Sequence, residues 1–306
     1  MSDRSHAADA AGRTDPERPA PPDVVVRPPA TLEEFRACVE LQRETWGADF
    51  EECVPAAILK VSGRIGGVTA GAFDGAGGLL GFVFGLTGLD GGRLVHWSHM
   101  LAVRPEWRDR GLGRRLKLYQ REAVARLGAE AIYWTLDPLV ARNAHVNLNR
   151  LGARVVEYVE DMYGPTGSHL HAGLGTDRLV IAWPVQGTEA AGEGALGGPA
   201  PGAAGAVAAG AGVTADESLG ALPVVNGMDW AGPEAEQVPP AIRIEVPADV
   251  VAEEAAEPGA GGRWRQATRR AFQGAFRRGY RVRRFYRDAA TGRCFYVLSH
   301  DDVGGL

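Results

Sequence analysis

Hydrophobic and polar positions follow regular periods from residue 23 onward. The run DVVVRP, which begins at Asp23, predicts a strand. Thr31 and Glu34 form a capping-box pattern ahead of apolar residues at helical spacing up to Trp46, and a short helix is predicted near residues 55–62. Two strand-like runs follow, VTAGAFD and LLGFVFGLTGL, joined by the turn residues GAGG. This part of the chain therefore predicts a strand, two helices and a pair of strands.

Strands and helices continue to alternate in the next segment. RLVHWSHMLAV predicts a long strand, RRLKLYQREAVARLG a helix that ends at Gly128, and AIYWTLD another strand. ARNAHVNLNRLGA is predicted to be helical up to Gly152, and RVVEYVEDMYG and RLVIAWPV are predicted strands. Residues 23–186 are therefore predicted to form one α/β domain.

Two segments lack such a period, and a third resumes it. Residues 1–22 are polar and predict a disordered tail, whereas residues 187–237 are rich in Ala, Gly and Pro and predict a flexible linker or insertion. Between residues 238 and 303, IRIEVP predicts a strand, Trp264 to Arg278 a helix, and YRVRRFYRD with CFYVLSH a hairpin. The chain is therefore predicted to close with a small βαββ subdomain.

Composition narrows the class of protein. The net charge of -5 argues against nucleic-acid binding by the chain as a whole. Cys38, Cys53 and Cys294 show no disulfide spacing, and no N-terminal apolar run resembles a secretion signal. The most apolar window, GGLLGFVFGLTGL, is too short to cross a bilayer. We therefore expect a reduced, cytoplasmic protein without membrane contacts, as a monomer or a homodimer.

Glycines and arginines cluster between the predicted long strand and its helix. The loop Arg108-Asp109-Arg110-Gly111-Leu112-Gly113-Arg114 offers unshielded backbone N–H groups, the positive end of a helix dipole and cationic side chains. It therefore favours binding of an anion, and a plain glycine turn with solvated arginines is the alternative. Leu116 stands where a dinucleotide fingerprint needs its third glycine, and no Gly-Lys-Ser/Thr is present, so both of those phosphate motifs are excluded.

This loop, the LAV that precedes it and the later NAHVNLNRLGA together resemble the GNAT superfamily of acyl-CoA N-acyltransferases over about residues 24–185. The resemblance implies a GNAT-like mixed, mostly antiparallel sheet flanked by helices. It also implies an enzyme that moves an acyl group from acetyl-CoA or another acyl-CoA to the amine of a small molecule. The C-terminal extension is similar to that of predicted GNAT acetyltransferases and amino-acid N-succinyltransferases, so succinyl-CoA and amino acids are among the candidate substrates.

The resemblance also assigns roles to residues. Residues 108–114 would bind the pyrophosphate of coenzyme A, and the strand residues Leu101, Ala102 and Val103 would bind its pantetheine arm, with Asn143 near that arm. Many family members have a tyrosine that protonates the departing thiolate where this chain has Leu148. The usual general acid is therefore missing or moved, and the sequence does not rank the substitutes Tyr133, Tyr158 and Tyr163.

His99 is the candidate general base. Only a neutral amine attacks a thioester, and the pKa of histidine suits removal of the amine proton near neutral pH. Strand alternation predicts that Trp97, His99, Leu101 and Val103 share one face, and in some GNAT amine acetyltransferases a histidine at this position supplies the base. A half-buried histidine satisfied by a neighbour is the alternative.

No metal is predicted. The odd spacing of His96 and His99 on a strand directs them to opposite faces, and His169 with His171 fits a substrate-covering loop better than a ligand pair.

Weaker candidates for acceptor binding are Trp97, Asp137, Arg142 and Arg178. Asp137 would hold an ammonium and Arg142 would pair with a carboxylate. A turn or cap role for Asp137 ahead of Pro138 stays open, and Arg178 shares this ambiguity.

The C-terminal helix carries the densest positive charge. An apolar face that includes Ala271 and Phe272 leaves five arginines mostly on the other faces, namely Arg265, Arg269, Arg270, Arg277 and Arg278. The alternatives are a docking helix with a solvated basic side, charge for a phosphate or acidic acyl group, and nucleic-acid contact through residues 263–287. A nucleic-acid-associated protein is therefore one rival function. The other is a non-catalytic acyl-CoA sensor, which the absence of the usual acid at Leu148 permits.

Overall fold

The computed structural model describes residues 23–164, 174–185, 219–231 and 239–300. The strands are β1 (Val25–Arg27), β2 (Val68–Phe73), β3 (Leu79–Asp90), β4 (Arg93–Val103), β5 (Ala131–Leu136), β6 (Arg154–Val159), β7 (Arg178–Pro184), β8 (Ala241–Val246), β9 (Arg281–Arg287) and β10 (Cys294–Ser299). The helices are α1 (Leu32–Trp46), α2 (Ala56–Ser62), α3 (Leu112–Ala125), α4 (Ala141–Ala144, continued as a π-helix over His145–Arg150), α5 (Val250–Ala256) and α6 (Ala260–Arg277). In these ranges no helix has the length and apolar character to span a membrane.

Helix α1 begins as its sequence predicts. The Thr31 hydroxyl accepts a hydrogen bond from the backbone N–H of Glu34 at 3.2 Å, which satisfies one of the unpaired donors of the first turn. Every third or fourth residue then points inward, so that Phe35, Cys38 and Leu41 are buried.

Strands β1 to β7 form one sheet in the order β1-β2-β3-β4-β5-β7-β6, in which only the β4–β5 pair is parallel. Helices α1 and α2 cover its first face, where Leu41 and Leu59 pack on Phe82. Helix α3 covers the second face, where Leu112 and Leu116 are buried. The predicted α/β class, with a mostly antiparallel sheet flanked by helices, is confirmed.

The C-terminal residues form a second sheet, in the order β8-β10-β9, with α6 packed on it. The predicted βαββ order is present with one more helix, α5, which Asp249 caps. The two sheets share a hydrophobic core, in which Leu179 and Ile181 of β7 join Phe272 of α6 and Tyr296 of β10. The subdomain therefore continues the packing of the first sheet.

Two arginines of α6 are not on its solvent side, contrary to the prediction. Arg265 is 4% exposed and bonds Asp137, and Arg269 bonds Asp177. The reason is that Asp137 directly follows β5 and Asp177 directly precedes β7, at the strand ends where the helix docks, so that its contact face is wider than its apolar stripe. Arg270 and Arg277 are exposed as predicted.

Residues 219–231, which the sequence assigns to the linker, pack against the C-terminal subdomain. Leu219, Val225 and Trp230 are buried, and the Trp230 ring lies directly on Gly274 of α6. A Cβ at Gly274 would stand 2.2 Å from Cγ of Trp230, so only glycine permits this approach. The apolar residues here are too widely spaced to form a period, which is why the pattern gives no sign of their burial. The predicted tail, the rest of the linker, His169 and His171 lie outside the described residues.

Candidate functional site

Strands β4 and β5 separate after a short pairing. They pair from Val95 with Ala131 to Trp97 with Tyr133, whereas β4 runs on to Val103 and β5 to Leu136. Among the described residues, no strand pairs with this side of β4 beyond Trp97. The backbone N–H and C=O groups of the strand therefore face an open gap, and an extended molecule can bond along such an edge.

A β-bulge places His99 at the start of this gap. Phe84 of β3 pairs with Met100 and Gly85 with Ser98, so His99 is the extra residue of β4. Its ring packs edge-on against Phe84, with centroids 6.1 Å apart, on the first face of the sheet.

The bulge also contradicts the predicted sharing of a face by Trp97, His99, Leu101 and Val103. Leu101 and Val103 pack in the α3 cluster of the second face, and Trp97 packs beside Tyr133 on the first. One inserted residue reverses the alternation of every later position, and nothing in the local sequence marks it.

The environment of His99 keeps its imidazole neutral. Burial lowers the pKa of His99 below its ordinary value. Within the described part of the chain, its ring makes no hydrogen bond, so a nitrogen lone pair remains available to a bound molecule.

The loop after β4 leaves the start of α3 uncapped. Gly111 is left-handed with φ 72°, no side chain caps the helix, and the N–H groups of Leu112, Gly113 and Arg114 bond no acceptor in the described residues. A Cβ on Gly111 would meet nothing within 4 Å, so the space before the helix is open. These N–H groups and the helix dipole form a site for an anion.

Arginines surround this opening. The Arg108 guanidinium bonds the Val103 carbonyl at 3.2 Å, and Arg110 lies 4.8 Å from the centre of the Trp107 ring. Arg142 of α4 pairs with Asp109 of the loop. The structure therefore brings Arg142 to the anion opening and not to Asp137, where an acceptor carboxylate was expected.

The open end of β5 carries a second charged group on the first face. Asp137 accepts the Leu139 N–H at 2.9 Å, as a cap does, and lies 2.7 Å from Arg265 and 3.5 Å from Arg178. The Arg178 guanidinium lies 5.4 Å from the centre of the Tyr163 ring. Arg265, a residue of the C-terminal helix, was not predicted here, because its distance along the chain conceals the contact.

The three tyrosines occupy different places. The Tyr158 hydroxyl bonds Asp177 in the contact with α6, and Tyr133 lies where β4 and β5 are still paired. Tyr163 lies at the open end, with its hydroxyl 3.0 Å from that of Thr135, and burial raises its pKa. Leu148 packs against the shared core.

Other predicted residues have simple surroundings. Asn143 is exposed on α4, and its carbonyl accepts a hydrogen bond from the Asn147 side chain at 2.7 Å. Trp97 lines a surface hollow with Leu86 and Tyr133 on the first face. No cluster of three or more His, Cys, Asp or Glu residues suited to a metal occurs in the described ranges.

The sequence analysis did not predict the buried polar contacts of Lys117 and Gln120 on the second face of the sheet. Lys117 of α3 bonds Ser98 at 2.8 Å, and Gln120 bonds His96 at 3.0 Å. Both side chains fall on the helix face that the period assigns to the core, where a lysine is rare. That conflict between residue type and position was the available signal.

Comparisons with known proteins found one matching family model and several similar solved structures. Residues 33–152 match the acetyltransferase (GNAT) family model, and no curated protein gives a significant match. The ribosomal-protein-S18-alanine N-acetyltransferase from Escherichia coli is similar at 15% identity over 53% of this chain and 94% of that one, with a TM-score of 0.41. Aminoglycoside 6'-N-acetyltransferase complexed with coenzyme A is similar at 16% identity over 53% and 97%, with a TM-score of 0.40. YncA from Salmonella typhimurium, with its cofactor acetyl-CoA, is similar at 16% identity over 55% and 97%, with a TM-score of 0.42.

Proposed function

We propose that this chain, of which residues 33–152 match the GNAT acetyltransferase family model, transfers an acyl group from acyl-CoA to the amine of a small molecule. Domains of this family belong to acyl-CoA-dependent N-acyltransferases. One observation carries the proposal: the uncapped start of α3 at Gly111 occurs together with an edge of β4 that no strand pairs with beyond Trp97 in the described residues.

The residues around Gly111 fit the pyrophosphate of coenzyme A. A doubly charged group suits the free N–H groups of Leu112 to Arg114, because they point out of a helix start with nothing in front of it. Arg108, Arg110 and Arg114 add positive charge at its rim.

The free edge of β4 fits the pantetheine arm. Its amides are extended and would bond the backbone of Leu101, Ala102 and Val103 as an added strand does. Asn143 of α4 would supply a further polar contact across the gap. Backbone N–H groups on the same edge would polarise the carbonyl that is attacked.

His99 would remove the proton of the acceptor amine. The thioester of acyl-CoA supplies an activated acyl group, and the amine must be neutral to attack it. His99 is neutral near pH 7, lies at the start of the gap and has an uncommitted ring, so it can take that proton directly or through a water molecule.

The acceptor would lie on the first face, between Trp97 and the Asp137 group. Asp137 would contact an ammonium in addition to its pairs with Arg265 and Arg178, and Arg178 would contact a carboxylate, as in an amino acid or a succinyl group. Both acetyl-CoA and succinyl-CoA are therefore donors to test.

A second candidate function is a non-catalytic acyl-CoA sensor. Leu148 favours it, because this position lacks the usual acid. The nucleic-acid alternative loses support, since Arg265 and Arg269 are committed to ion pairs with Asp137 and Asp177.

The test is release of free coenzyme A from acetyl-CoA and succinyl-CoA across a panel of amines and amino acids. We expect amine-dependent release by the wild type, and loss of at least about 100-fold in Gly111→Asp, whose carboxylate would stand before the helix start and repel the pyrophosphate. Tight binding of coenzyme A without release for any amine would replace the enzyme with the sensor.

A further inference from the structure

Lysine is rare in this chain. Of its 33 basic residues, only Lys60 and Lys117 are lysines. Lys60 is exposed on α2, whereas Lys117 is 7% exposed, under the sheet. A chain that uses arginine almost everywhere has a lysine at a core position, and lysine differs from arginine in that it readily gives up its proton when buried.

Lys117 lies at the point where β4 and β5 separate. Its Nζ is 2.8 Å from the Ser98 hydroxyl and 3.9 Å from the centre of the Trp134 ring. Ser98 and Trp134 are the residues that directly follow the last pair of the two strands, Trp97 with Tyr133. The ammonium therefore bridges both strands at the closed end of the gap, on the second face of the sheet.

No opposite charge accompanies this ammonium. Lys117 forms no ion pair in the described ranges, and burial alone lowers its pKa to about 7. The titratable neighbour is His96, which bonds Gln120 at 3.0 Å and Thr87 at 2.9 Å. Burial, followed by the charge of Lys117, lowers the pKa of His96 to about 4, so this neighbour is neutral. A buried cation without an anion is costly, and such a group is expected where a negative charge develops.

We propose that Lys117 is the general acid that protonates the sulfur of the departing coenzyme A, in the role for which position 148 has no tyrosine. This inference rests on the proposed function. The His99 side chain lies on the first face and Lys117 on the second, so the proton donor and the base are on opposite sides of the gap.

His99 takes one proton from the ammonium and passes it to solvent. The neutral amine then forms a bond to the acyl carbon, the carbon–sulfur bond breaks with its electron pair on sulfur, and the new amide nitrogen loses its remaining extra proton to His99. The sulfur takes a proton from Nζ of Lys117, which becomes a neutral amine and regains a proton from solvent before the next turnover. The transfer is close to balanced in free energy, because the Lys117 ammonium lowers the pKa of the bound thiol from its ordinary value of about 8.5 toward the pKa of about 7 that burial gives Lys117.

The test uses bound coenzyme A and needs no acceptor. The thiolate absorbs in the ultraviolet, so its appearance is titrated in the wild-type complex against a blank with desulfo-coenzyme A. We expect the bound thiol to ionise at least about one pH unit below the free thiol, because the Lys117 ammonium stabilises the thiolate. In Lys117→Met this downward shift should vanish, whereas Lys60→Met should titrate as the wild type does.

Two further measurements guard against a folding defect. Lys117→Met should melt at a higher temperature than the wild type at pH 7, and this gain should shrink by pH 10, where the wild-type lysine loses its burial penalty. Turnover should fall by about 100-fold or more, without the wild-type decline above pH 7. A folded Lys117→Met that binds coenzyme A with an unchanged thiol titration would overturn the role of Lys117 alone, whereas a wild type that binds no coenzyme A would overturn the proposed function.

Discussion

At the scale of single residues, the site depends on the bulge in β4. Because His99 is inserted opposite Phe84, its ring turns to the first face, while Leu101 and Val103 keep their packing under α3. The strand thus presents the proposed base, His99, on the first face and keeps Leu101 and Val103 in the hydrophobic core on the second face. Lys117 lies on the second face as well, where it bonds Ser98, the residue just before the bulge.

Replacement of His99 should change both rate and pH dependence. We expect His99→Ala to lower kcat/KM by about 100-fold at pH 7, since the base would be lost. Wild-type kcat/KM should fall as the pH drops through the pKa of His99, which burial holds below its ordinary value, because the protonated ring cannot accept a proton. In the variant, the rate should instead keep rising with pH, as more of the amine is already neutral.

The exposed His145 of α4 is the matched control, and His145→Ala should keep the wild-type profile. Equal rates for His99→Ala and wild type from pH 6 to pH 9 would exclude His99 as the base.

At the scale of elements, strong periods predicted most of the fold. In helix α1 and strands β3 and β5 the hydrophobic spacing lies within one continuous run of residues, so the local pattern alone predicts which side chains are buried. The β4 bulge, the burial of Trp230 and the contact of Arg265 with Asp137 were not predictable, because each depends on a partner distant in the chain. In the candidate site, the loop at Gly111 was predictable from the sequence because its left-handed conformation favours glycine. The surroundings of His99 were not predictable, because they depend on its register with β3.

Docking of α6 through Arg265 should contribute measurably to the free energy of unfolding. Its guanidinium bonds Asp137 and the Leu174 carbonyl, both at 2.7 Å, at 4% exposure. Arg265→Ala should lower the free energy of unfolding by about 3 kcal/mol, because it removes both bonds and leaves Asp137 partly buried with one cation fewer. The control is Arg270→Ala on the exposed side of the same helix, which should cost less than about 0.5 kcal/mol. Similar losses in denaturant titrations of the two variants would contradict this docking role.

At the scale of the whole molecule, the C-terminal subdomain supports the open end of the site. The Tyr296 hydroxyl of β10 bonds the Pro138 carbonyl at 3.0 Å, directly after Asp137, and Phe272 shares its core with Leu179 of β7. Packing from both sheets therefore fixes the chain where β5 ends. If the proposed function holds, an acceptor that binds there would contact a surface that residues 33–152 do not build alone, and the extension would then take part in acceptor choice.

In the proposed function, the uncapped start of α3 and the open edge of β4 bind coenzyme A. Isothermal titration of the full chain with coenzyme A tests it most directly, with Gly111→Asp as the altered site and Gly220→Asp, outside the site, as the matched control. Gly220 has open space around its Cα, as Gly111 does. We expect saturable binding by the wild type and by Gly220→Asp, and loss of binding by Gly111→Asp. A folded wild type that shows no binding would contradict it.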